Sequence, residues 1–420
     1  MLLVLGLGVR LAGAEEPPLV IVGPATTDSV VLWVQTDRPG PVELLYHQHP
    51  RRDRVARAIG RTRADSHLIE RLYLTGLESG ARYCGTLWFQ GNPVPVSFQT
   101  VPSEPRDFTF AFGSCVYVND PAIPKGENGG EYEIFDQISR DAPDLMLWLG
   151  DNVYYRPGDW DSAEAMRERT RQDRLRLPNL WPLFAGAQNY AIWDDHDFGP
   201  NNADSSFPHK DEALEVFHQV WPGGTYGQDR IPGAFYRFSW ADVDFFMLDD
   251  RYYRTREAMY GPAQMAWLKQ QLLSSQAPFK MVVGGCQMLN PVAPYEAWAV
   301  YPRERQELLD FIEHERIEGV VFLSGDRHCA ELIRLHPKGG YPLYEFTSSP
   351  LTSSLHPMTP EEKDNPARVS GSWFSDRRNY GLARVSGPSG HRLLTLDCKD
   401  SRGQLVWTLQ LRERELRFSP

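Results

Sequence analysis

Short apolar runs that stop abruptly at acids, a thiol or imidazoles restrict this chain more than any other feature. The clearest is "DLMLWLGDNVYY" (Asp144 to Tyr155), almost wholly apolar until Gly150, then presenting Asp151, Asn152, Tyr154 and Tyr155. Bounded by Pro143 and Gly150, it fits a strand covered on both faces better than an amphipathic helix. Its polar residues then lie at the carboxyl end, where ligands bind in open α/β sheets. Other runs end alike: "FAFGSC" at Cys115, "AIWDDHD" at Asp194, Asp195, His196 and Asp197, "FFMLDDR" at Asp249, Asp250 and Arg251, and "VFLSGDRH" at Asp326 and His328. Gathered by one sheet system, these ends form a crevice of carboxylates, a thiol, a phenol and two imidazoles. Such acids repel one another unless metal ions neutralise them.

Singly, the pieces are weaker. A lone "GD" after a strand is a turn, and a lone buried Cys is core packing. "WDDHD" is harder to satisfy without a cation. Asp249 and Arg251 read first as an ion pair at a strand end. Arg251 and Arg254 alternatively face substrate, since guanidinium offers planar donors suited to phosphate.

Between residues 19 and 103, short β-like runs separated by Pro, Gly and Asp predict a small, fibronectin III-like β-sandwich. "VPSEPRD" (Val101 to Asp107) reads as a linker. From 107 to 420 strands alternate with helix-like stretches, among them "DEALEVFHQVW" and "ERQELLDFIEHE", and the tail returns to strands. The Ser/Pro-rich stretch from Ser348 to Pro366 reads as a long loop.

The first 14 residues, "MLLVLGLGVRLAGA", resemble the apolar region and small-residue cleavage site of a secretory signal, without its usual basic start; a buried strand is the alternative. Later runs are too short to span a bilayer. A secreted or periplasmic protein is therefore expected, and five cysteines leave at least one thiol outside any disulfide. A formal net charge of -11 argues against non-specific nucleic-acid binding. No obligate protein partner is expected.

The ordered set "FGSC", "LGDNVYY", "WDDHDFGPNN", "FFMLDDRYYR", "QMAWLKQQL" and "LSGDRH", behind a small β-sandwich, resembles the alkaline phosphatase D family of calcineurin-like metallophosphoesterases, distantly similar to purple acid phosphatases. The resemblance implies an α/β fold with an αββα sandwich after the β-sandwich. It also implies an Fe(III)–Ca(II) centre, with Mn, Mg or Zn as other candidate ions. The implied activity is hydrolysis of phosphate mono- and diesters, in small molecules or phosphopolymers, by a metal-activated hydroxide.

Carried over residue by residue, the resemblance makes Asp151 the bridging carboxylate, Tyr154 and Cys115 ferric ligands, and His328 the first-metal histidine. Asp195 and Asp326 become second-metal ligands, with Asp194 a weaker candidate. His196 assists phosphate and leaving group, Arg251 and Arg254 act beside it, and Asn201 and Asn202 bind substrate. Asp197 stands where the family often has Glu, "LDDR" where "LDTR" is common, and Cys329 where a second His is common. Two alternatives stay open: a dedicated phosphodiesterase or phospholipase, and a non-catalytic extracellular binding protein with a structural metal cluster.

Overall fold

Successive side chains of a strand point to opposite faces, so an unbroken apolar run needs a core on each side. Leu145–Leu149 has both and is buried throughout. Leu145, Leu147 and Leu149 enter one core, Met146 and Trp148 another. The structure, a computed structural model, describes residues 16–120, 128–223, 226–228, 230–292 and 294–419. The expected signal segment, residues 1–14, lies outside them.

Two six-stranded sheets form the centre. The first runs in the order Gln188–Ile192, Leu145–Leu149, Phe108–Gly113, Asn379–Ser386, Leu393–Asp400, Leu405–Arg412. Its first three strands are parallel and the rest antiparallel. The second runs Tyr236–Trp240, Val243–Met247, Phe279–Val283, Val320–Ser324, Leu343–Ser348, Ala330–Leu335, parallel except at its two edges. Their facing sides share one core, stitched by aromatic contacts between the layers. Phe110 meets Phe245 edge-on at 5.3 Å, and Phe346 is held between Phe112 at 4.9 Å and Trp407 at 4.4 Å.

Helices Ile134–Asp141 and Lys210–Val220 cover the outer face of the first sheet, packing on Met146 and Trp148. Helices Gly261–Ser274 and Pro302–His314 contribute Leu268, Leu272, Leu308 and Ile312 to the core of the second. The layering is therefore αββα, as expected. No helix among the described residues is long and apolar enough to cross a membrane.

The first seven strands build a three-stranded and a four-stranded antiparallel sheet around Val20, Val22, Leu32, Leu44, Leu72, Leu87 and Phe98. This sandwich docks through Trp33, whose Nε1 donates to the Gln219 carbonyl at 2.8 Å, and Arg71, which donates to the carbonyls of His218, Gln219 and Trp221. It also grips Asp144, which accepts from Arg82 at 3.0 Å and Gln99 at 2.8 Å. All five cysteines are unpaired.

Because Phe346 bridges the layers with no exposure, Phe346→Ala should lower the unfolding free energy by about 3–5 kcal/mol. Urea titration checks this; a loss below about 1 kcal/mol would place the interlayer stabilisation elsewhere.

Candidate metal centre and active site

The turns that follow the strands share one abnormality. Cys115 (φ 62°), Asp151 (φ 52°), Asp326 (φ 62°) and His328 (φ 56°) all occupy the left-handed region, at a cost on the order of 1–2 kcal/mol each. Such strain clusters where side-chain aim matters more than backbone comfort. Gly150 (φ 91°) makes the approach possible: a Cβ there would lie 2.6 Å from Asp194 Cβ and 2.9 Å from its main-chain nitrogen.

The turns bring the side chains together from both sheets. Asp151 Oδ2 lies 3.5 Å from Cys115 Sγ and 3.1 Å from the Tyr154 hydroxyl, which is 3.3 Å from His328 Nε2. The His196 main-chain N–H donates to Asp151 Oδ1 at 3.2 Å. Asp195 Oδ2 accepts from the Asn202 N–H at 2.7 Å, while its buried Oδ1 has no hydrogen-bond partner. Two sets of potential ligand atoms, Cys115–Asp151–His328 and Asp151–Asp195–His196, each fall within 4.8 Å of one another and share Asp151. Asp326 stands at their edge, its carbonyl 3.7 Å from Cys115 Sγ. The site opens into a cavity of about 950 Å³.

Burial, then the neighbouring Asp195 and Asp194, push the Asp151 carboxyl well above its usual range. Burial and Asp151 do the same to the Cys115 thiol and the Tyr154 phenol. Burial and Asp195 raise Asp326 to about 7, and burial with His356 lowers His328 to about 3. Asp195 goes the other way, to about 2, because Arg251, His196 and the Asn202 N–H outweigh its burial. Without cations, most of this crevice is driven toward its neutral forms; a bound cation reverses that drive. The donors also sort by hardness. Thiolate, phenolate and imidazole suit a transition metal, and carboxylates suit a hard cation. With the orphaned Asp195 oxygen, they fit a two-metal centre sharing Asp151.

"WDDHD" resolves differently from its expectation of an acid cluster that only a cation satisfies. Asp194 caps the short helix Asp195–Phe198, and Asp197 closes a reciprocal capping box on the Asp194 N–H. Asp194 Oδ1 also accepts from Arg251 Nε at 2.5 Å. Caps and a guanidinium thus already serve Asp194, which is not among the residues lining the cavity. Asp194, Asp250 and Cys286 do form a third buried group. Arg251 supplies its cation: Nη2 is 3.4 Å from Cys286 Sγ, and Nε is 3.7 Å from Asp250.

Arg251, expected at substrate, likewise does not line the cavity. It is fully buried, and its side chain pairs with Asp194 and Glu296 rather than with Asp249, the partner expected for it at the strand end, which accepts only its main-chain N–H. Asp249 accepts from Trp193 Nε1, the Arg251 and Tyr252 N–H groups and the Ala234 N–H, so it braces turns. Arg254 does line the cavity, with His196 and the exposed Asn201 and Asn202.

Several residues in and around the cavity have no motif around them. Glu296 and Tyr301 hold Arg254. Ser349 Oγ lies 3.2 Å from Cys115 Sγ, and Ser354 Oγ lies 3.2 Å from His328 Nδ1. Both serines come from the stretch read as a long loop. Its "TSSPLTSS" was the available signal.

The family model described as PhoD-like phosphatase matches residues 110–384. Alkaline phosphatase D of Bacillus subtilis (strain 168) is 25% identical, over 54% of this chain and 47% of its own length. The chain thus spans about half the length of that curated relative. Among solved structures, that of PhoD superposes with a TM-score of 0.76 at 18% identity, covering 98% of this chain and 94% of its own. A purple acid phosphatase from yellow lupin (Lupinus luteus) seeds gives 0.66 at 12% identity, covering 94% and 74%. These two likenesses concern the fold. With the family match running from the strand before Cys115 past the serine-rich loop, the chain belongs to the PhoD-like phosphatase family.

Proposed function

We propose that this protein is an exported, metal-dependent phosphoesterase. It hydrolyses phosphate monoesters, diesters or both, in small molecules or phosphopolymers, with Fe(III) and Ca(II) at the centre around Asp151. The observation that carries this reading is the sharing of Asp151 between a thiol–imidazole set and a carboxylate set at the floor of one cavity. Cys115, Tyr154, Asp151 and His328 would hold the ferric ion; Asp151, Asp195 and Asp326 the harder one. When bound, such ions polarise phosphoryl oxygens and acidify a water. Export rests on the leader-like sequence of residues 1–14. The same reading divides the chain into a sandwich domain, 19–103, and a catalytic domain, 107–420. The apolar core between the two sheets of the first supports that division, while its Leu19, Ile21, Trp33 and Ile69 dock into a core of the second.

The chain's own residues hold and aim the reacting parts. The His196 N–H pins Asp151 Oδ1. The His196 ring stacks on Tyr154, centroids 4.2 Å apart, with Nε2 4.0 Å from Asp195 Oδ1. Burial pushes the His196 imidazolium below its ordinary value, and Asp195 pulls it back. When protonated, the ring would hold its Nε2 proton beside Asp195 at the cavity, ready for a departing alkoxide. Asn201 and Asn202 line the same cavity and would flank a bound phosphoryl group.

Turnover of p-nitrophenyl phosphate and bis-p-nitrophenyl phosphate should vanish on chelation and return when iron and calcium are restored. Full activity of metal-free protein would refute the proposal. Elemental analysis and visible charge-transfer absorption, weakened in Tyr154→Phe, test the ferric assignment separately.

Asp151→Asn should release both metals and abolish activity while the N-terminal sandwich stays folded. Stoichiometric metal with near-normal turnover would reduce "GD" to a turn.

His196→Ala should slow alkyl phosphates far more than p-nitrophenyl esters, since proton donation is worth about 10²–10⁴-fold where the leaving group is poor. An unchanged dependence on leaving-group pKa would remove His196 from that role.

A further inference from the structure

The net charge of -11 hides one stretch of the opposite sign. From 51 to 63 the chain sets Arg51, Arg52, Arg54, Arg57, Arg61 and Arg63 against one acid, Asp53, and all of these are exposed. Arg57 pairs with Glu43 and Arg51 with Glu78. Arg52, Arg54, Arg61 and Arg63 have no acidic partner among the described residues.

The stretch runs into Ala56–Thr62, the edge strand of the four-stranded sheet of the N-terminal sandwich. Alternation along the strands sends Val42, Leu44, Leu87 and Phe89 into the sandwich core and their neighbours outward. Leu45 stands opposite Arg57, and Glu43 stands between Ile59 and Trp88. Leu45 is thus a diagonal neighbour of both Ile59 and Trp88 on the outer face, near enough for the three to form one patch. Leu45 and Trp88 are 38% and 39% exposed, Ile59 is 58% exposed, and Val55, just before the edge strand, is 62% exposed. One such side chain needs no explanation; a group of them among unpaired arginines does. The patch also lies away from the central sheets. Arg82, at the start of the strand Arg82–Phe89, is the residue paired with Asp144. Trp88 is at the other end, about 20 Å along at the rise of a strand.

The arginines suit any anionic surface, and the apolar groups choose among them. Against a nucleic acid Trp88 could stack on a base, but Val55, Ile59 and Leu45 would meet charged backbone and water. At a lipid surface aliphatic side chains enter the acyl boundary, an indole sits at headgroup depth, and guanidinium groups meet the phosphates. We propose that this face of the sandwich is a docking surface for an anionic phospholipid bilayer. Arg52, Arg54, Arg61 and Arg63 contact the headgroups, and Val55, Ile59, Leu45 and Trp88 enter the interfacial layer. The inference is independent of the chemistry assigned to Asp151.

The test sediments the full chain with vesicles of phosphatidylcholine alone and of phosphatidylcholine mixed equally with phosphatidylglycerol, with a DNA duplex as a second anionic probe. Wild type should bind the mixed vesicles, more weakly as salt is raised, and the neutral ones far less. Changing Arg52, Arg54, Arg61 and Arg63 together to Gln should weaken that binding about a hundredfold or more, since one basic residue at an anionic leaflet is worth roughly fivefold. Changing the same four to Lys should largely preserve it. Val55→Ser with Ile59→Ser, which leaves the charge intact, should weaken it about tenfold. Each variant's urea midpoint should match wild type, and the Lys variant keeps the comparison open if the Gln variant unfolds early. Failure of wild type to bind the mixed vesicles would overturn the proposal. So would arginine-dependent binding that the Val55→Ser, Ile59→Ser variant retains in full, or binding to the duplex as tight as to the vesicles; either would make the face a general polyanion site.

Discussion

Mutual repulsion among buried carboxylates sets the terms for the rest of this molecule. Asp151, Asp194 and Asp195 are at most 3% exposed, and an ionised carboxylate removed from water is costly unless it is paired or hydrogen-bonded. The chain meets part of that cost itself. Arg251, fully buried, lies between Asp194 and Glu296. Main-chain N–H groups of His196 and Asn202 satisfy one oxygen each of Asp151 and Asp195. What remains is Asp151 Oδ2 against a thiol and a phenol, and Asp195 Oδ1 with no hydrogen-bond partner, His196 Nε2 standing 4.0 Å away. That residue of unmet negative charge is the physical content of the metal site.

Holding such groups together needs a scaffold that does not relax. Four non-glycine residues in the left-handed region would drift back to ordinary turns if the strands behind them could move. They are kept in place by two sheets locked face to face through aromatic contacts, and by Gly150, where a side chain would collide with Asp194. The N-terminal sandwich takes part from the far end. Asp144, gripped by Arg82 and Gln99, also accepts from the Thr109 N–H at 2.8 Å. It thereby anchors the amino ends of the strands that deliver Asp151 and Cys115 at their carboxyl ends.

Local pattern carried the layered fold because the forces behind it are local. Leu145 to Leu149 can be apolar throughout only if both faces are covered, and Gly150 with Asp151 must then leave the strand at its carboxyl end. The same reasoning found Cys115, Tyr154, Asp195, His196, Asp326 and His328, which the fold does bring to one place. The short, Pro-punctuated runs before residue 103 likewise read correctly as antiparallel strands around their own core.

Pattern failed where one residue's role depends on a distant partner. "WDDHD" offers three acids with nothing local to rank them. Their ranking comes from Arg251, 57 positions away, which claims Asp194, and from a four-residue helix whose cap and third position use Asp194 and Asp197. Arg251 and Arg254 are three residues apart and look equivalent on paper. Only packing buries one behind the cavity and sets the other in its wall. Ser349, Ser354 and Glu296 reach the site from loops whose path nothing local specifies. The sequence by itself therefore determined the strands, their order and the stock of ligands at their ends, because burial and chain direction act within a few residues. Tertiary structure alone decided which acid is left unpaired, since pairing a buried charge depends on groups brought from elsewhere in the chain.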